Sequence, residues 1–356
     1  MAVYLVTGAA GFIGANYVHR LLEWEPSDAE VIAVDYLGFA GNHANLAPVS
    51  ERIVFEKADI ADLETMRAIY RRYRPDFVVN FAAESHNDRA ILEPSAFMRS
   101  NALGAQVMAE CSRRVPVRSH VHVSTIEVYG ELAPGNEWFT EGSALNAKTP
   151  YSAAKAAGDQ IVRAYMRTYP DLNIRMTHCA NNYGPYQLPE KLIPLAVTNL
   201  LRGRKVPVYG DGSHSRDWLH VADHCAAVHR VLHADLEPIP ARAATEPELL
   251  PIFDISARCE VGNLDMASRV ITMLDLDPSE WIEHIPDRPN HDRRYLISPE
   301  KIESELGWRP VHDFDAGMAE TVAWYVEHRE WWEQIIEERG ELGFDWAGVR
   351  AAGSAP

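Results

Sequence analysis

The stretch VYLVTGAAGFIGANYVHRLL (residues 3–22) decides the fold. Its first part is an apolar run ending at Thr7, and its last part carries apolar residues at helical spacing. Between them Gly8, Gly11 and Gly14 form a GxxGxxG turn. Glycines at such a junction let the backbone approach a pyrophosphate and present helix N-terminal amides to it. A glycine turn alone is common between strand and helix, so the next segment matters. VIAVDYL (31–37) is a second apolar run, in which Asp35 stands about 20 residues beyond the turn. A carboxylate there accepts hydrogen bonds from an adenosine ribose and repels a 2′-phosphate, so NAD is expected over NADP.

The alternation continues outward from this start. IVFEKADI (53–60), FVVNFAA (77–83) and SHVHVST (119–125) read as further buried strands with helical stretches between them. This pattern implies an α/β fold, a Rossmann-type doubly wound parallel sheet with ligands at the C-terminal ends of its strands. Asp59, Ile60, the run Phe81 to Ser85, and Thr125 fall at such ends.

The whole chain of 356 residues is long enough for two lobes. It is 47% hydrophobic and 24% charged, with a formal net charge of −17, a surface that repels nucleic acid. No apolar run approaches a membrane span, and the first residues lack the basic region of a signal peptide. A cytoplasmic location is expected. Cys111, Cys179, Cys225 and Cys259 lie far apart with no CxxC pair, as in a reduced compartment. His214, His220, His224, His229 and His233 do not place three side chains on one helical face, so no metal site is expected.

After a Gly-, Pro- and Asn-containing loop (133–150), PYSAAKAAGDQIVRAY (150–165) reads as a long helix. Tyr151 and Lys155 are one turn apart on one face. A free phenol is a poor base at neutral pH, and a neighbouring ammonium plus the nicotinamide charge lowers its pKa. Tyr151 is then able to take a proton from a hydroxyl during oxidation, with Lys155 holding the nicotinamide ribose.

The glycine turn and the YxxxK pair resemble those of the extended short-chain dehydrogenase/reductases. Along residues 1 to about 328 the chain is similar to the dTDP-glucose 4,6-dehydratase family within them. The matching segments are FAAESHNDRAI (81–91), STIEVYGE (124–131), PYSAAKA (150–156), NNYGPYQLPEKLIPL (181–195), PVYGDGSHSRDWLHVADH (207–224) and PDRPNHDRRY (286–295). The resemblance implies that Gly8, Gly11, Phe12, Ile13, Gly14, Asp35, Tyr36, Leu37, Asp59, Ile60, Phe81, Ala82, Ala83, Ser85, Ser100, Tyr151, Lys155 and Asn182 line NAD. It implies catalytic roles for Thr125, Glu127, Tyr151 and Lys155. It places Ser85, Thr125, Glu127, Asn181, Lys191, Leu192, Pro207, Tyr209, Arg216, Asn263, Asp287, Arg288 and His291 against a nucleotide-diphosphate sugar. Lys191, Arg216, Arg288 and His291 read as the cationic clamp that a diphosphate needs.

One position departs from the family's chemistry. The dehydratases oxidise the sugar at C4, remove the C5 proton with a glutamate, and protonate the leaving C6 hydroxyl with an adjacent aspartate. Glu127 matches the base, but the acid's place holds Ile126. Asn87, Ala180 and Asn290 also depart, where the family has valine, serine and glycine. Three readings stay open: a 4,6-dehydratase acting on an NDP-hexose such as dTDP-glucose; another C4-oxidising enzyme (4-epimerase, decarboxylase or 5,6-dehydratase); or a non-catalytic dinucleotide-binding regulator. The last class usually loses one member of the YxxxK pair, and both are present here.

The expected division is residues 1–182 for the NAD-binding domain, with 211–255 returning to it, and residues 183–210 and 256–340 for the substrate lobe. EPIPARAATEPELLP (237–251) has the composition of a surface loop, HREWWEQIIEERGELGFDW (328–346) suits an amphipathic helix, and 348–356 is expected to be a disordered tail. The resemblance implies a homodimer, formed through helices near 97–111 and 151–166.

Overall fold

The computed structural model describes residues 2–340 apart from 134, 136, 137 and 238. The apolar runs pair into one seven-stranded sheet. Its strands are β1 (Val3–Thr7), β2 (Glu30–Asp35), β3 (Val54–Lys57), β4 (Phe77–Asn80), β5 (Ser119–Thr125) and β6 (Ile174–Cys179), completed by a strand at Ile252–Ile255. The spatial order from the second edge is β3-β2-β1-β4-β5-β6, then Ile252–Ile255, and every pairing is parallel. The chain leaves β1 toward β2 and β3, then crosses back to β4. The order therefore reverses between β1 and β4, and α/β sheets bind ligands at such a switch point.

Both faces of the sheet are covered, which is why its strands read as continuous apolar runs. Tyr4 and Val6 pack on one face with Tyr17, Leu21 and Val228, whereas Leu5 packs on the other with Ile32, Val78 and Met108. Three strands are shorter than their apolar runs: β2 stops at Asp35, β3 spans only Val54–Lys57, and β4 stops at Asn80. The residues beyond leave the ladder and turn over the strand ends. Leu37, with φ 58°, marks one such departure.

The remaining strands are β7 (Asn181–Tyr183), β8 (Val206–Tyr209), β9 (Ser215–His220), β10 (Ile252–Ile255, the edge strand above), β11 (Glu260–Gly262) and β12 (Ile282–Ile285). They form a three-stranded sheet β11-β9-β7 and a two-stranded sheet β12-β8. A second core, including Ile193, Val197, Val270, Met318, Tyr325 and Trp332, lies under these sheets and the helices Leu192–Leu201, Asn263–Met273 and Phe314–Glu327. The amphipathic segment at 328–346 is helical over Arg329–Arg339. Its last residues, and 348–356, lie outside the described residues. The segment at 237–251 holds two short 3-10 turns, Ala241–Ala244 and Pro247–Leu249.

Candidate active site

The glycine turn sits at the switch point and is packed to its limit. A Cβ on Gly8, whose φ is 66°, would lie 2.6 Å from the Ala82 nitrogen, and one on Gly14 would lie 2.0 Å from the Gly8 oxygen. Gly11 is the N-cap of the helix Phe12–Trp24, and no side chain caps that helix. Its first amides are left for an anion. The Asp35 carboxylate accepts from the Ala10 nitrogen at 3.0 Å and from the Leu37 nitrogen at 2.8 Å. These bonds tie the end of β2 to the turn. Burial raises the pKa of this carboxyl, and the two amide hydrogen bonds oppose that shift.

A cleft of about 1470 Å³, including its open mouth, runs from this turn across the ends of β4, β5 and β6. Every residue assigned to the cofactor by resemblance lines it except Leu37, whose backbone instead serves Asp35. Glu84, Gln187, Leu188 and Glu190 also line it, and sequence reasoning missed them. Glu84 lies in the run Phe81 to Ser85 and the other three in NNYGPYQLPEKLIPL (181–195), segments already singled out, but none was given a role. Three buried polar atoms of the lining have no hydrogen-bond partner: Ser124 Oγ, Asn181 Oδ1 and Glu190 Oε2. Of these, Glu190 Oε2 lies 3.7 Å from His86 Nε2. The Glu190 carboxyl is pushed up to about 7, by burial first. The uncapped helix, the close-packed glycines and the carboxylate on β2 fit a dinucleotide.

The helix Pro150–Thr168 carries the YxxxK pair into the cleft. Thr149 caps it, accepting from the Ser152 nitrogen at 3.2 Å while Ser152 Oγ accepts from the Thr149 nitrogen at 3.0 Å. Tyr151 is buried and its hydroxyl faces that of Thr125. Burial holds this phenol well above its usual range, with the Glu127 carboxylate adding to it and Thr125 opposing. The expected lowering by Lys155 is not what the protein alone shows: burial dominates, and Thr125 is the group that opposes it. Lys155 is itself buried, and burial lowers its pKa.

Glu127 stands on a four-residue 3-10 turn, Ile126–Tyr129, at the end of β5. Its backbone nitrogen donates to Thr125 Oγ1 at 3.3 Å, and its Oε2 accepts from Asn87 Nδ2 at 2.8 Å. Ile126 points elsewhere. It is 1% exposed and packs with Val128, Tyr129, Tyr295 and Ile297, outside the cleft lining.

The residues assigned to the sugar nucleotide divide into two groups. Ser85, Thr125, Glu127, Asn181 and Lys191 line the cleft, and Lys191 Nζ donates to the Ser85 oxygen at 3.0 Å. Leu192, Pro207, Tyr209, Arg216, Asn263, Asp287, Arg288 and His291 do not line it. Two of them meet at Asp88: Tyr209 donates to Asp88 Oδ2 at 3.1 Å, and Arg288 lies 3.5 Å from Asp88 Oδ1. Arg216 donates to the Asp292 and Arg293 carbonyls and lies 4.4 Å from the Tyr295 ring centre. One reading needs correction. His291 was taken as cationic, but burial first, and then Arg288 and Arg216, hold its imidazole neutral. It pairs with Asp287 at 2.7 Å and stacks on His214 at 3.9 Å.

The family described as GDP-mannose 4,6 dehydratase matches residues 5–321. The chain belongs to that family of NAD-dependent nucleotide-sugar 4,6-dehydratases. It is 41% identical to the dTDP-glucose 4,6-dehydratase of Mycolicibacterium smegmatis, over 95% of this chain and 99% of the relative. It is also 41% identical to dTDP-glucose 4,6-dehydratase 1 of Escherichia coli, over 93% of this chain and 94% of the relative. In structure it is similar to DesIV, the dTDP-glucose 4,6-dehydratase of Streptomyces venezuelae solved with NAD bound, with a TM-score of 0.85 and 43% identity over 94% of this chain and 99% of that one. Family membership accounts for the shape of the dehydratase cleft.

Proposed function

We propose that the protein is an NAD-dependent 4,6-dehydratase acting on a nucleotide-diphosphate hexose such as dTDP-glucose. One observation carries the reading: Tyr151, Lys155, Thr125 and Glu127 line the same cleft as the glycine turn, in a chain 41% identical to dTDP-glucose 4,6-dehydratases. Bound there, NAD supplies the redox chemistry at the sugar. The turn amides and Asp35 hold its pyrophosphate and adenosine ribose. Tyr151 takes the proton of the C4 hydroxyl, relayed beside Thr125. Glu127 removes the C5 proton once a C4 ketone has acidified it. The C6–O bond breaks as the C5–C6 double bond forms. The departing hydroxide leaves as water with a proton from solvent, since Ile126 has none to give. Residues 183–210 and 256–340 form the substrate lobe, where Tyr209, Asn263, Arg288 and the neutral His291 meet the nucleotide. Pairing of two copies through the helices near 97–111 and 151–166 makes a homodimer. Among the described residues no helix is long and apolar enough to cross a membrane.

A second reading is favoured by Ile126 alone. Without a carboxylate at 126, the same oxidation at C4 serves an epimerase, a decarboxylase or a 5,6-dehydratase. Incubation with a panel of nucleotide sugars, read by mass spectrometry, separates them. Loss of one water is expected from dTDP-glucose. Loss of carbon dioxide, or unchanged mass with new proton couplings, replaces the dehydratase reading. Absence of turnover on every sugar leaves a dinucleotide-binding regulator. Nucleotide released from denatured protein is expected to be NAD(H), and NADP(H) overturns the role of Asp35.

A further inference from the structure

We propose that Asn87 is a positioning residue for Glu127, holding one carboxylate oxygen so that the other faces the sugar. This rests on the reading of Glu127 as the base at C5. Asn87 is buried at the first position of the helix Asn87–Leu92. Its Nδ2 donates to Glu127 Oε2 at 2.8 Å, and its Oδ1 accepts from Thr149 Oγ1 at 2.8 Å.

The direction of these bonds is set by the helix cap. Thr149 Oγ1 accepts from the Ser152 nitrogen, and Ser152 Oγ, 3.0 Å from it, donates to the Thr149 carbonyl, which leaves the Thr149 proton for Asn87 Oδ1. The amide is thereby fixed with its N–H₂ toward Glu127. The cap begins the helix that carries Tyr151 and Lys155. One bridge therefore couples the base to the YxxxK pair. The next residue, Asp88, accepts from Tyr209 and faces Arg288, which pins the same helical turn from the side of the sugar nucleotide.

Glu127 needs such a hold. It stands on a turn of only four residues, and Ile126 beside it offers no polar partner because it packs into the cluster with Tyr295. A hydrogen bond to an ionised group is among the stronger ones, and it selects one rotamer. With Oε2 engaged, Oε1 is the atom left to take the proton.

The test uses the holoenzyme with Asn87→Asp, which keeps the shape and loses the N–H, and Asn87→Val, which loses both polar atoms. The Glu127 carboxylate band is isolated as an infrared difference against Glu127→Gln. Both variants are expected to shift this band at neutral pH. On dTDP-glucose both are expected to lose about 10- to 100-fold in kcat with KM unchanged. Reduced cofactor should accumulate in a single turnover, because oxidation at C4 precedes the slowed proton removal. A band that stays at its wild-type position overturns the proposal, even if kcat falls through a structural effect. Unchanged kcat in an enzyme that does turn over dTDP-glucose overturns it equally. If the wild-type protein leaves dTDP-glucose untouched, the substrate reading fails while the infrared arm still decides on Asn87.

Discussion

Lys155 Nζ donates to the main-chain oxygen of Val123 at 2.7 Å, so the ammonium of the YxxxK pair is fastened to the sheet. That bond places the charge at the end of β5, under Ser124 and Thr125. Removing the lysine leaves a buried carbonyl unpaired as well as a ribose unheld. Lys155→Met is therefore expected to lower both kcat, by about 10²-fold or more, and the nucleotide that co-purifies with the protein. Lys155→Arg should not rescue either, since a planar guanidinium does not fit a fully buried ammonium site. Full nucleotide content in Lys155→Met, measured by absorbance after denaturation, would sink the ribose role.

Tyr151→Phe removes the proton acceptor and keeps the ring that packs near Phe97 at 6.3 Å between centroids. Turnover should fall by about 10²-fold or more with sugar-nucleotide affinity nearly unchanged. Near-normal rates in steady-state assays would remove Tyr151 from the mechanism.

Gly8→Ala puts a methyl 2.6 Å from the Ala82 nitrogen at a residue with φ 66°. Backbone cannot yield there without moving β4 from β1. We expect a loss of about 1–3 kcal/mol of stability and weak retention of NAD. Ala10→Gly, in the same turn, serves as a control for added flexibility. Equal melting temperatures and cofactor content for Gly8→Ala and wild type would contradict the close packing.

The sheet was legible because its strands are buried on both faces and so announce themselves as apolar runs. Gly8, Gly11, Gly14 and Asp35 were legible because the turn chemistry fixes residue type at fixed spacing. What was not legible was direction. Nothing in STIEVYGE tells that Ile126 turns away from the cleft while Glu127 turns toward it, since a 3-10 turn separates them by about a third of a revolution. Asn87 and Thr149 lie 62 residues apart in sequence, and only the packing of two helices joins them. The same holds for His229 and His233, one turn apart on the helix Val221–His233, which approach Glu25 from a distant segment. The charge on His291 was misjudged because burial is a property of the fold.

Behind Lys155 lies a buried ionic chain with its own pH signature. His178 bridges Asp159 at 3.0 Å and Asp254 at 2.9 Å, and Tyr129 donates to the same Asp254 oxygen at 3.0 Å. Burial pulls the imidazole down, but hydrogen bonds to the two carboxylates outweigh it and push it up to about 9. A histidine raised above its unfolded value contributes stability fully below about 6.5 and loses it as pH rises through about 9. The melting temperature should therefore fall by several degrees across that window. Lys155, depressed by burial, works in the opposite sense and is common to the variant. His178→Asn should be less stable overall but with a shallower slope between those pH values. Equal slopes in calorimetry would show that His178 does not titrate there.

Ile126 is the position where sequence alone posed the sharpest question. If its place were a vacant acid site, Ile126→Asp would restore a proton donor at C6 and raise the rate. The geometry argues against that. Ile126 is 1% exposed and packs against Val128, Tyr129, Tyr295 and Ile297. A carboxylate put there is desolvated among apolar and aromatic groups, near the charge of Glu127, and has no cationic partner on its own turn. Burying it costs on the order of several kcal/mol unless it stays protonated or the turn rotates. We therefore expect Ile126→Asp to melt well below wild type and to gain no rate in the elimination step. Ile126→Val, which keeps the apolar packing, should cost only about 0.5–1.5 kcal/mol and leave turnover intact. Single-turnover measurement of C6 hydroxyl loss in the three proteins decides the matter. A faster elimination in Ile126→Asp would mean that the turn presents position 126 to the sugar once substrate binds.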